Sequence, residues 1–339
     1  MFNADLKIGL IGSGNWGRNH LRVLASLKQV QLVGVCDLDP EVLQRVARTY
    51  PGVTVTNDAR DLLRRVDAVV IASSARSHYA LAKQALDHGL SVFVEKPLAL
   101  KMEQGKELVR LAEQRNRILM VGHLLLFHPG ILKLKEIVDQ GELGQVYYLY
   151  SQRLNLGRIR RDENVMWSLA PHDLSVANFL LNQRPLRVSA TGKSFIQPHL
   201  EDVAFLVVEY EHALAHIHVS WLDPHKIRSL TVVGSQKMAV FDDMQPEEKL
   251  KIYDKGVDPR ALQEPEALPP GAIAVRYGDI YAPKIEMREP LKVELEHFVQ
   301  AVRTHQEPRS SGREALAVLR ILDAAERSMK GGGQWINLG

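Results

Sequence analysis

The stretch GLIGSGNWGRNH, Gly9–His20, decides the fold of this chain. It closes an apolar run that begins at Leu6 and places three glycines at the G-x-G-x-x-G spacing. At this spacing the first glycine permits a tight turn, the second lets the backbone approach a pyrophosphate, and the third lets the next helix pack closely. The helix start then offers N–H groups and a positive dipole end to a phosphate. The predicted cofactor contacts of this turn are Gly12, Gly14, Asn15, Trp16 and Gly17.

An acidic residue follows at the position where dinucleotide-binding folds contact the adenosine ribose. Asp37 ends the second apolar strand, VQLVGVCD, twenty residues beyond Gly17. A carboxylate there accepts hydrogen bonds from both ribose hydroxyls and repels a 2′-phosphate. The next residue, Leu38, is not an arginine that could offset this repulsion. We therefore expect NAD rather than NADP, the alternative being that the glycines only form a turn and Asp37 only caps a helix.

The pattern of apolar residues divides the chain into two parts. The first third alternates short apolar strands with helical segments as far as His123, which is typical of a parallel sheet covered on both faces. The rest has long strands with alternating apolar positions, typical of a mainly antiparallel sheet. The predicted fold class is α/β, with an NAD-binding Rossmann domain at residues 1–123 and an α+β substrate-binding and oligomerisation domain at residues 124–339.

Three further features are expected in the second domain. The segment MWSLAPHDLSVANFLLN predicts a helix, the Pro- and Gly-rich region Gly256–Pro290 an extended loop, and Leu291–Thr304 and Arg313–Met329 two closing helices. Apolar residues alternate in VAFLVVEY and LAHIHVSWL, so one sheet face is expected to pack on helices. The other face is then available to a second subunit, which predicts a homodimer or homotetramer.

Composition excludes several classes of protein. The 43 basic and 40 acidic residues leave a formal charge of +3, which gives no support for binding nucleic acid or a membrane surface. The longest apolar runs are too short to span a bilayer, and the first residues lack the pattern of a secretory signal. The single cysteine, Cys36, rules out an internal disulfide framework and fits a cytoplasmic protein. Without a cysteine pair, no metal site is expected.

The stretch VFVEKPLAL, Val92–Leu100, ends an apolar strand with two charged residues and a proline. Charges at such a position are costly unless they have partners or a role. The carboxyl ends of parallel strands form the ligand crevice, so Glu95 is expected at the nicotinamide ribose and Lys96 at a substrate hydroxyl. A lysine there can donate hydrogen bonds, stabilise an alkoxide or pass a proton. Pro97 is expected to be cis, and the alternative is a capped turn with a surface ion pair.

These motifs, together with VVIASSARSHYALAKQALDHGLSVFVEKPLA, resemble the glucose–fructose oxidoreductase/inositol dehydrogenase (Gfo/Idh/MocA) family over nearly the whole chain. The resemblance implies a Rossmann domain, a C-terminal domain with a large open antiparallel sheet, and oxidation or reduction of a sugar or polyol. By position, it implies that Glu95 contacts the cofactor and that Lys96 is catalytic. It also implies that Ser73 and His78 belong to a loop over the cofactor, although His78 could equally be a helix-start residue.

The family commonly carries a second catalytic element, Asp-x-x-x-His, on a helix. In MWSLAPHDLSV, His172 matches the histidine, but Ser168 stands at the Asp position. A hydroxyl lacks the charge that raises the pKa of an imidazole, and Asp173 points about 100° away from its neighbour on a helix. His172 is therefore a predicted catalytic and substrate-binding residue, with a core histidine as the alternative. Ser168 is either a substrate contact or an N-cap, with Pro171 in the first helical turn.

Arginines before this helix suggest the substrate. Arg153 and Asn155 are the predicted substrate contacts of one strand face, and Arg158, Arg160 and Arg161 follow them. Arginine forks bind diphosphates and carboxylates, although a solvated charged loop explains the run equally well. NVMWSLAPHDLS is similar to a subgroup that acts on nucleotide sugars, such as UDP-N-acetylglucosamine or its uronic acid. A free-sugar or polyol dehydrogenase and a catalytically weakened NAD-binding sensor remain the alternatives.

Overall fold

The computed structural model of the chain describes residues 5–157, 159–160, 163–257 and 275–339. Contacts group them into two compact units. The first contains the residues up to Phe127 together with Arg288–Arg320, and the second contains His128–Met287 together with Ile321–Gly339.

The strands and helices take their bounds from these described residues. The strands are β1 (Leu6–Ile11), β2 (Val30–Cys36), β3 (Thr54–Thr56), β4 (Ala68–Ile71), β5 (Ser91–Glu95), β6 (Leu119–Gly122), β7 (Val146–Leu154), β8 (Pro185–Lys193), β9 (Val203–Tyr210), β10 (Leu214–Ser220), β11 (Ile227–Gly234), β12 (Met238–Asp242), β13 (Leu250–Val257), β14 (Val275–Tyr281) and β15 (Ile336–Asn337). The helices are α1 (Gly17–Ser26), α2 (Pro40–Thr49), α3 (Ala59–Leu63), α4 (Ala75–Asp87), α5 (Met102–Gln114), α6 (Pro129–Asp139), α7 (Val165–Leu181), α8 (Pro290–Thr304) and α9 (Gly312–Lys330), with a 3₁₀ helix at Leu124–Phe127. None of the helices in the described ranges is both long and apolar enough to cross a membrane.

The first unit is a Rossmann fold. Its six-stranded sheet has the order β3-β2-β1-β4-β5-β6, and every neighbouring pair is parallel. The strand order reverses between β1 and β4, and ligands of such sheets bind beyond the carboxyl ends of the strands at that point. All four residues of β4 are fully buried, as expected of a central strand covered on both faces. The predicted fold of the first domain is confirmed.

Residues 288–320 belong to the first unit, although the expected boundaries assigned them to the second domain. Helix α8 packs on α1 and on the 3₁₀ helix, and Ser311 bridges to Met120 of β6. The sequence of α8 shows an apolar face but does not show which element covers that face. The position of α8 late in the chain therefore did not indicate the unit to which it belongs.

The second unit is built on a nine-stranded sheet with the order β14-β13-β12-β11-β7-β10-β9-β8-β15. Among the described strands of this second sheet, only β7 and β10 pair in parallel, which confirms the prediction of a mainly antiparallel sheet. Helix α7 packs on β7, β9 and β10. The predicted alternation is present in β9, where Ala204, Leu206 and Val208 are fully buried and Phe205 is 41% exposed. The opposite face of the sheet exposes aromatic and aliphatic side chains, among them Tyr148, Tyr150, Phe205 and Leu214.

The expectation of an extended loop over Gly256–Pro290 was wrong for part of that region. Residues Val275–Tyr281 form strand β14, which pairs antiparallel with β13 at one end of the sheet. The sequence VRYGDIY contains β-branched and aromatic residues that favour a strand, and the Pro and Gly content around it concealed this signal. Residues 258–274 lie outside the described part of the chain.

Candidate functional site

The three motif glycines have three different roles in the turn after β1. Gly12 has a φ of +87°, and a Cβ there would lie 2.7 Å from the backbone nitrogen of Ser73. A Cβ on Gly17 would lie only 2.0 Å from the carbonyl oxygen of Gly12, so α1 can approach β1 this closely only with glycine at that position. A Cβ on Gly14 would meet no atom within 4 Å. Packing within the chain therefore does not explain Gly14, whereas the approach of a pyrophosphate does.

The start of α1 is suited to an anion. Trp16 is its N-cap residue, and no side-chain hydrogen bond caps the helix among the described residues. The nearest polar side chain, Asn15, instead accepts a hydrogen bond from Arg18 at 3.0 Å. The N–H groups of Arg18 and Asn19 donate to the carbonyl oxygens of Gly14 and Trp16 at 3.2 and 2.9 Å, so this helix start offers a phosphate its positive dipole end and the backbone of the glycine turn before it. The turn and the helix start therefore fit the diphosphate of a dinucleotide.

Asp37 lies at the carboxyl end of β2 and supports the glycine turn. Its Oδ2 accepts from the backbone N–H of Ser13 at 2.7 Å, and its Oδ1 accepts from that of Asp39 at 3.0 Å. The helix-capping alternative for Asp37 was wrong, because Asp39 is the N-cap of α2 and its side chain accepts from Glu41. A carboxylate has about four acceptor positions, so two remain on Asp37 for ribose hydroxyls.

Glu95 is held by two side chains of the helix that follows the glycine turn. Its Oε1 accepts from the indole Nε1 of Trp16 and from Nε2 of His20, each at 2.7 Å, and its Oε2 accepts from the backbone N–H of Lys96 at 3.2 Å. The carboxylate also lies against Gly122, where an added Cβ would be 3.0 Å from its atoms. These contacts hold Glu95 in a largely buried setting, whereas the alternative for this turn placed its carboxylate at the surface.

The charge of Glu95 follows from these partners. Burial acts to raise the pKa of Glu95, but His20, the hydrogen bond from Trp16 and the charge of Lys96 outweigh burial and hold that pKa below its ordinary value. Glu95 is therefore an ionised carboxylate in a largely buried setting at the carboxyl end of β5.

The turn after Glu95 is joined to the loop after β4. The Lys96–Pro97 peptide bond is cis, as expected. His78, which is 1% exposed, has Nδ1 at 2.8 Å from the carbonyl oxygen of Pro97 and Nε2 at 3.1 Å from that of Ser73. The hydroxyl of Ser73 also pairs with that of Ser77 at 2.7 Å. His78 lies in the first turn of α4, which agrees with the helix-start interpretation, and it positions the two loops relative to each other.

Ser168 and His172 lie one turn apart on α7 in the second unit. The N-cap interpretation of Ser168 was wrong, because α7 begins at Val165, three residues before Ser168. Asn164 is the N-cap, and its side chain accepts from the backbone N–H of Trp167 at 3.1 Å. Pro171 is consequently inside the helix rather than in its first turn. Ser168 is 4% exposed and His172 is half-buried.

The charge of Arg153 is already paired. Its Nε and Nη2 donate to the two carboxylate oxygens of Asp173 at 2.7 and 3.2 Å, so the fork expected to bind substrate binds a neighbouring helix. Asn155 follows the end of β7 at Leu154, so strand alternation no longer places it on the face of Arg153. Arg160 pairs with Glu163 at 2.8 Å, and the other two arginines of the run, Arg158 and Arg161, lie outside the described residues.

Sequence reasoning missed His20 and Gly122, which both contact Glu95. The available signal for His20 was a polar residue on the apolar face of a helix, next to Leu21 and one turn before Leu24. Gly122 gave no signal, because its role depends on β5 and β6 being neighbours. Within the described part of the chain, no group of three His, Cys, Asp or Glu side chains could hold a metal ion.

Comparison with known families identifies this arrangement. A family model described as "Oxidoreductase family, NAD-binding Rossmann fold" matches residues 6–123, and the model of the GFO/IDH/MocA C-terminal domain matches residues 131–240. The chain therefore belongs to the Gfo/Idh/MocA family and is an NAD-binding oxidoreductase.

Two dehydrogenases resemble the chain over almost its whole length. UDP-N-acetylglucosamine 3-dehydrogenase of Acidithiobacillus ferrooxidans is 28% identical over 326 residues, which are 94% of this chain and 95% of that protein. A solved structure of that enzyme gives a TM-score of 0.82 at 27% identity, covering 97% of this chain and 100% of the other. Inositol 2-dehydrogenase of Rhizobium meliloti is 24% identical over 342 residues, which are 96% of this chain and 97% of that protein.

Proposed function

We propose that this member of the Gfo/Idh/MocA family transfers a hydride between a secondary alcohol of a nucleotide sugar and NAD. The observation that carries the proposal is the Glu95–Lys96 turn, whose carboxylate is held by Trp16 and His20 from the glycine-motif helix. The nicotinamide supplies the hydride acceptor or donor when the cofactor is bound. The nucleotide-sugar class, with UDP-N-acetylglucosamine or its uronic acid as examples, is supported by the nearly full-length similarity to UDP-N-acetylglucosamine 3-dehydrogenase.

The residues of the first unit divide the binding of the cofactor among them. The backbone of the glycine turn and the positive dipole end of α1 bind the diphosphate beside Gly14, and Asp37 accepts from the adenosine ribose hydroxyls. Its charge makes the binding of NADP, with a 2′-phosphate, less favourable than that of NAD. Glu95 accepts from a hydroxyl of the nicotinamide ribose with the one acceptor position that Trp16, His20 and Lys96 leave open.

Lys96 and His172 are the proposed catalytic residues. The Lys96 ammonium donates a hydrogen bond to the substrate oxygen and stabilises negative charge on it as the hydride leaves the adjacent carbon. The hydroxyl proton passes to the imidazole of His172; in the alternative, Lys96 takes it as a neutral amine and then acts as the ammonium. Ser168, one turn before His172, can orient the imidazole by hydrogen bonding but supplies no charge, so this enzyme depends less on its histidine than a relative with Asp at that position.

The test is a panel of UDP-sugars, free sugars and inositols, incubated with the purified protein and NAD while nicotinamide absorbance is followed. We expect reduction with at least one UDP-sugar. Lys96→Ala should abolish turnover and leave NAD affinity nearly unchanged, and Lys101→Ala, which changes an exposed lysine close by in the sequence, should behave like the wild type. Turnover of inositol alone would favour the polyol alternative, for which the similarity to inositol 2-dehydrogenase is the supporting observation.

We also infer that a second copy of the chain covers the open face of the nine-stranded sheet. The exposed side chains Tyr148, Tyr150, Phe205 and Leu214 lie on neighbouring strands of that face. Contiguous apolar surface of this kind is typical of protein–protein interfaces. Light scattering should give the mass of at least two chains, and Phe205→Asp should lower it. The mass of one chain for the wild type would contradict this inference.

A further inference from the structure

A second carboxyl group lies buried in the first unit, and neither the cofactor nor the proposed chemistry accounts for it. Glu294, on α8, is fully buried, and neither of its carboxyl oxygens has a hydrogen-bond partner among the described residues. One turn later on the same helix, the ring of Phe298 packs edge-on against Phe93 of β5, with centroids 5.7 Å apart. Phe93 in turn packs against His20 at 5.4 Å. The buried side of α8 therefore adjoins the strand that ends in Glu95.

Few charged groups surround Glu294. The titratable side chains on the elements that pack against this part of α8 are His20 and Arg22 on α1, Glu95 and Lys96 at the end of β5, and His123 before the 3₁₀ helix. Arg22 pairs with Glu289, and burial lowers the pKa of His123 to about 4, so His123 is neutral at physiological pH. Of these groups, Glu95 is the one whose charge acts on Glu294.

The pKa values of the two carboxyl groups are shifted in opposite directions. Burial first, and the charge of Glu95 second, raise the pKa of Glu294 well above its ordinary value. The pKa of Glu95 is held below its ordinary value by its partners in spite of burial. When two carboxyl groups interact in a buried setting, ionisation of one opposes ionisation of the other. Glu95 accepts hydrogen bonds from Trp16 and His20 and is ionised. Glu294 has no hydrogen-bond donor among the described residues and is protonated.

We propose that Glu294 is a positioning residue whose neutral, protonated carboxyl group leaves Glu95 as the ionised member of these two carboxyl groups. The role in turnover rests on the proposed function, whereas the location of the proton does not. A second ionised carboxylate on α8 would repel Glu95 and weaken its hold on Trp16 and His20. The acid on α8 therefore limits the pH range over which the Glu95–Lys96 turn keeps its geometry.

The first test locates the proton by infrared spectroscopy. The wild-type protein at neutral pH should show a C=O band of a protonated carboxyl group that disappears in Glu294→Gln. The matched control is Glu296→Gln on the same helix, which removes a carboxylate paired with Arg288 and should leave that band unchanged. A wild-type spectrum in which Glu294→Gln removes only carboxylate intensity would overturn the proposal. Neither spectrum requires a substrate or a cofactor, so failure of the sugar panel would not affect this result.

The second test follows thermal unfolding against pH. Since the pKa of Glu294 is raised in the folded state, its contribution to stability is complete below the unfolded value of about 4.3 and is lost as pH rises towards the folded value. The melting temperature of Glu294→Gln relative to the wild type should therefore increase with pH across that window. Glu294→Leu, also neutral and of similar size, should show the same trend. A difference that stays constant with pH in both variants would overturn the proposal.

The third test separates positioning from a purely structural role. NAD affinity of the wild type should fall on the alkaline side as Glu294 ionises, on the order of tenfold for one added buried charge. Glu294→Gln should retain its affinity there, and Glu296→Gln should follow the wild type. If Glu294→Gln removes the infrared band but leaves the alkaline decline of NAD affinity unchanged, then Glu294 does not position Glu95, and that part of the proposal is wrong.

Discussion

Replacing His20 with alanine should destabilise the first unit through the loss of one hydrogen bond and one buried ring. His20 is fully buried, its Nε2 donates to Glu95 at 2.7 Å, and its ring packs against Phe93. A hydrogen bond to a charged group is worth about 1.5–3 kcal/mol. The cavity left by a buried side chain adds about 1–2 kcal/mol after partial relaxation of its surroundings. We therefore expect His20→Ala to lower the free energy of unfolding by about 2.5–5 kcal/mol.

Urea denaturation measures this change directly. The control is His88→Ala, which removes an exposed histidine at the end of α4 and should change the free energy of unfolding by less than about 0.5 kcal/mol. His20→Gln keeps an N–H donor and most of the volume, so it should recover roughly half of the loss. NAD affinity should decline in the order wild type, His20→Gln, His20→Ala. A His20→Ala protein within about 1 kcal/mol of the wild type would refute the view that this histidine holds Glu95.

Three further substitutions test other parts of the site. Gly122→Ala places a methyl group 3.0 Å from the carboxylate of Glu95 and should displace that carboxylate by a few tenths of an ångström. We expect this displacement to lower turnover about three- to tenfold. Unchanged kinetics would mean that this contact is unimportant. Asp37→Asn keeps the shape and one acceptor but removes the charge, so the ratio of NAD to NADP affinity should fall about tenfold, and an unaltered ratio would count against the role of Asp37. Arg153→Met leaves Asp173 buried without its partner and should lower the free energy of unfolding by about 3–5 kcal/mol. Adding Asp173→Leu should restore most of that stability. Denaturation of the single and double variants measures both changes.

The elements closest together in the chain were the ones that the sequence predicted well. The glycine turn, the strand before it and the helix after it are local, and Gly12 and Gly17 have the roles that their spacing implies. The cis bond at Pro97 and the half-buried sheet strands of the second unit also follow from local patterns. The parallel sheet of the first unit followed from the alternation of strands and helices, because parallel neighbours need a crossover between them.

The partners of individual side chains were not predictable, because they come from distant parts of the chain. Glu95 meets His20 across 75 residues, and it adjoins Gly122 only because β5 and β6 are neighbours. The pairing of Arg153 with Asp173 depends on the packing of α7 on β7, which the sequence does not specify. Ser168 was misinterpreted for a different reason. Asn and Ser are both favourable N-cap residues, so the sequence around Asn164 and Ser168 does not decide which of the two begins α7.

Transfer of hydrogen from sugar carbon to nicotinamide tests the proposed function most directly. The protein is incubated with NAD and a UDP-sugar that carries deuterium on its ring carbons, and the reduced nicotinamide is examined by mass spectrometry. We predict one deuterium on each reduced nicotinamide with the wild type and none detectable with Lys96→Ala. Bound NAD that acquires no deuterium from any UDP-sugar or free polyol in the panel would contradict the proposed function.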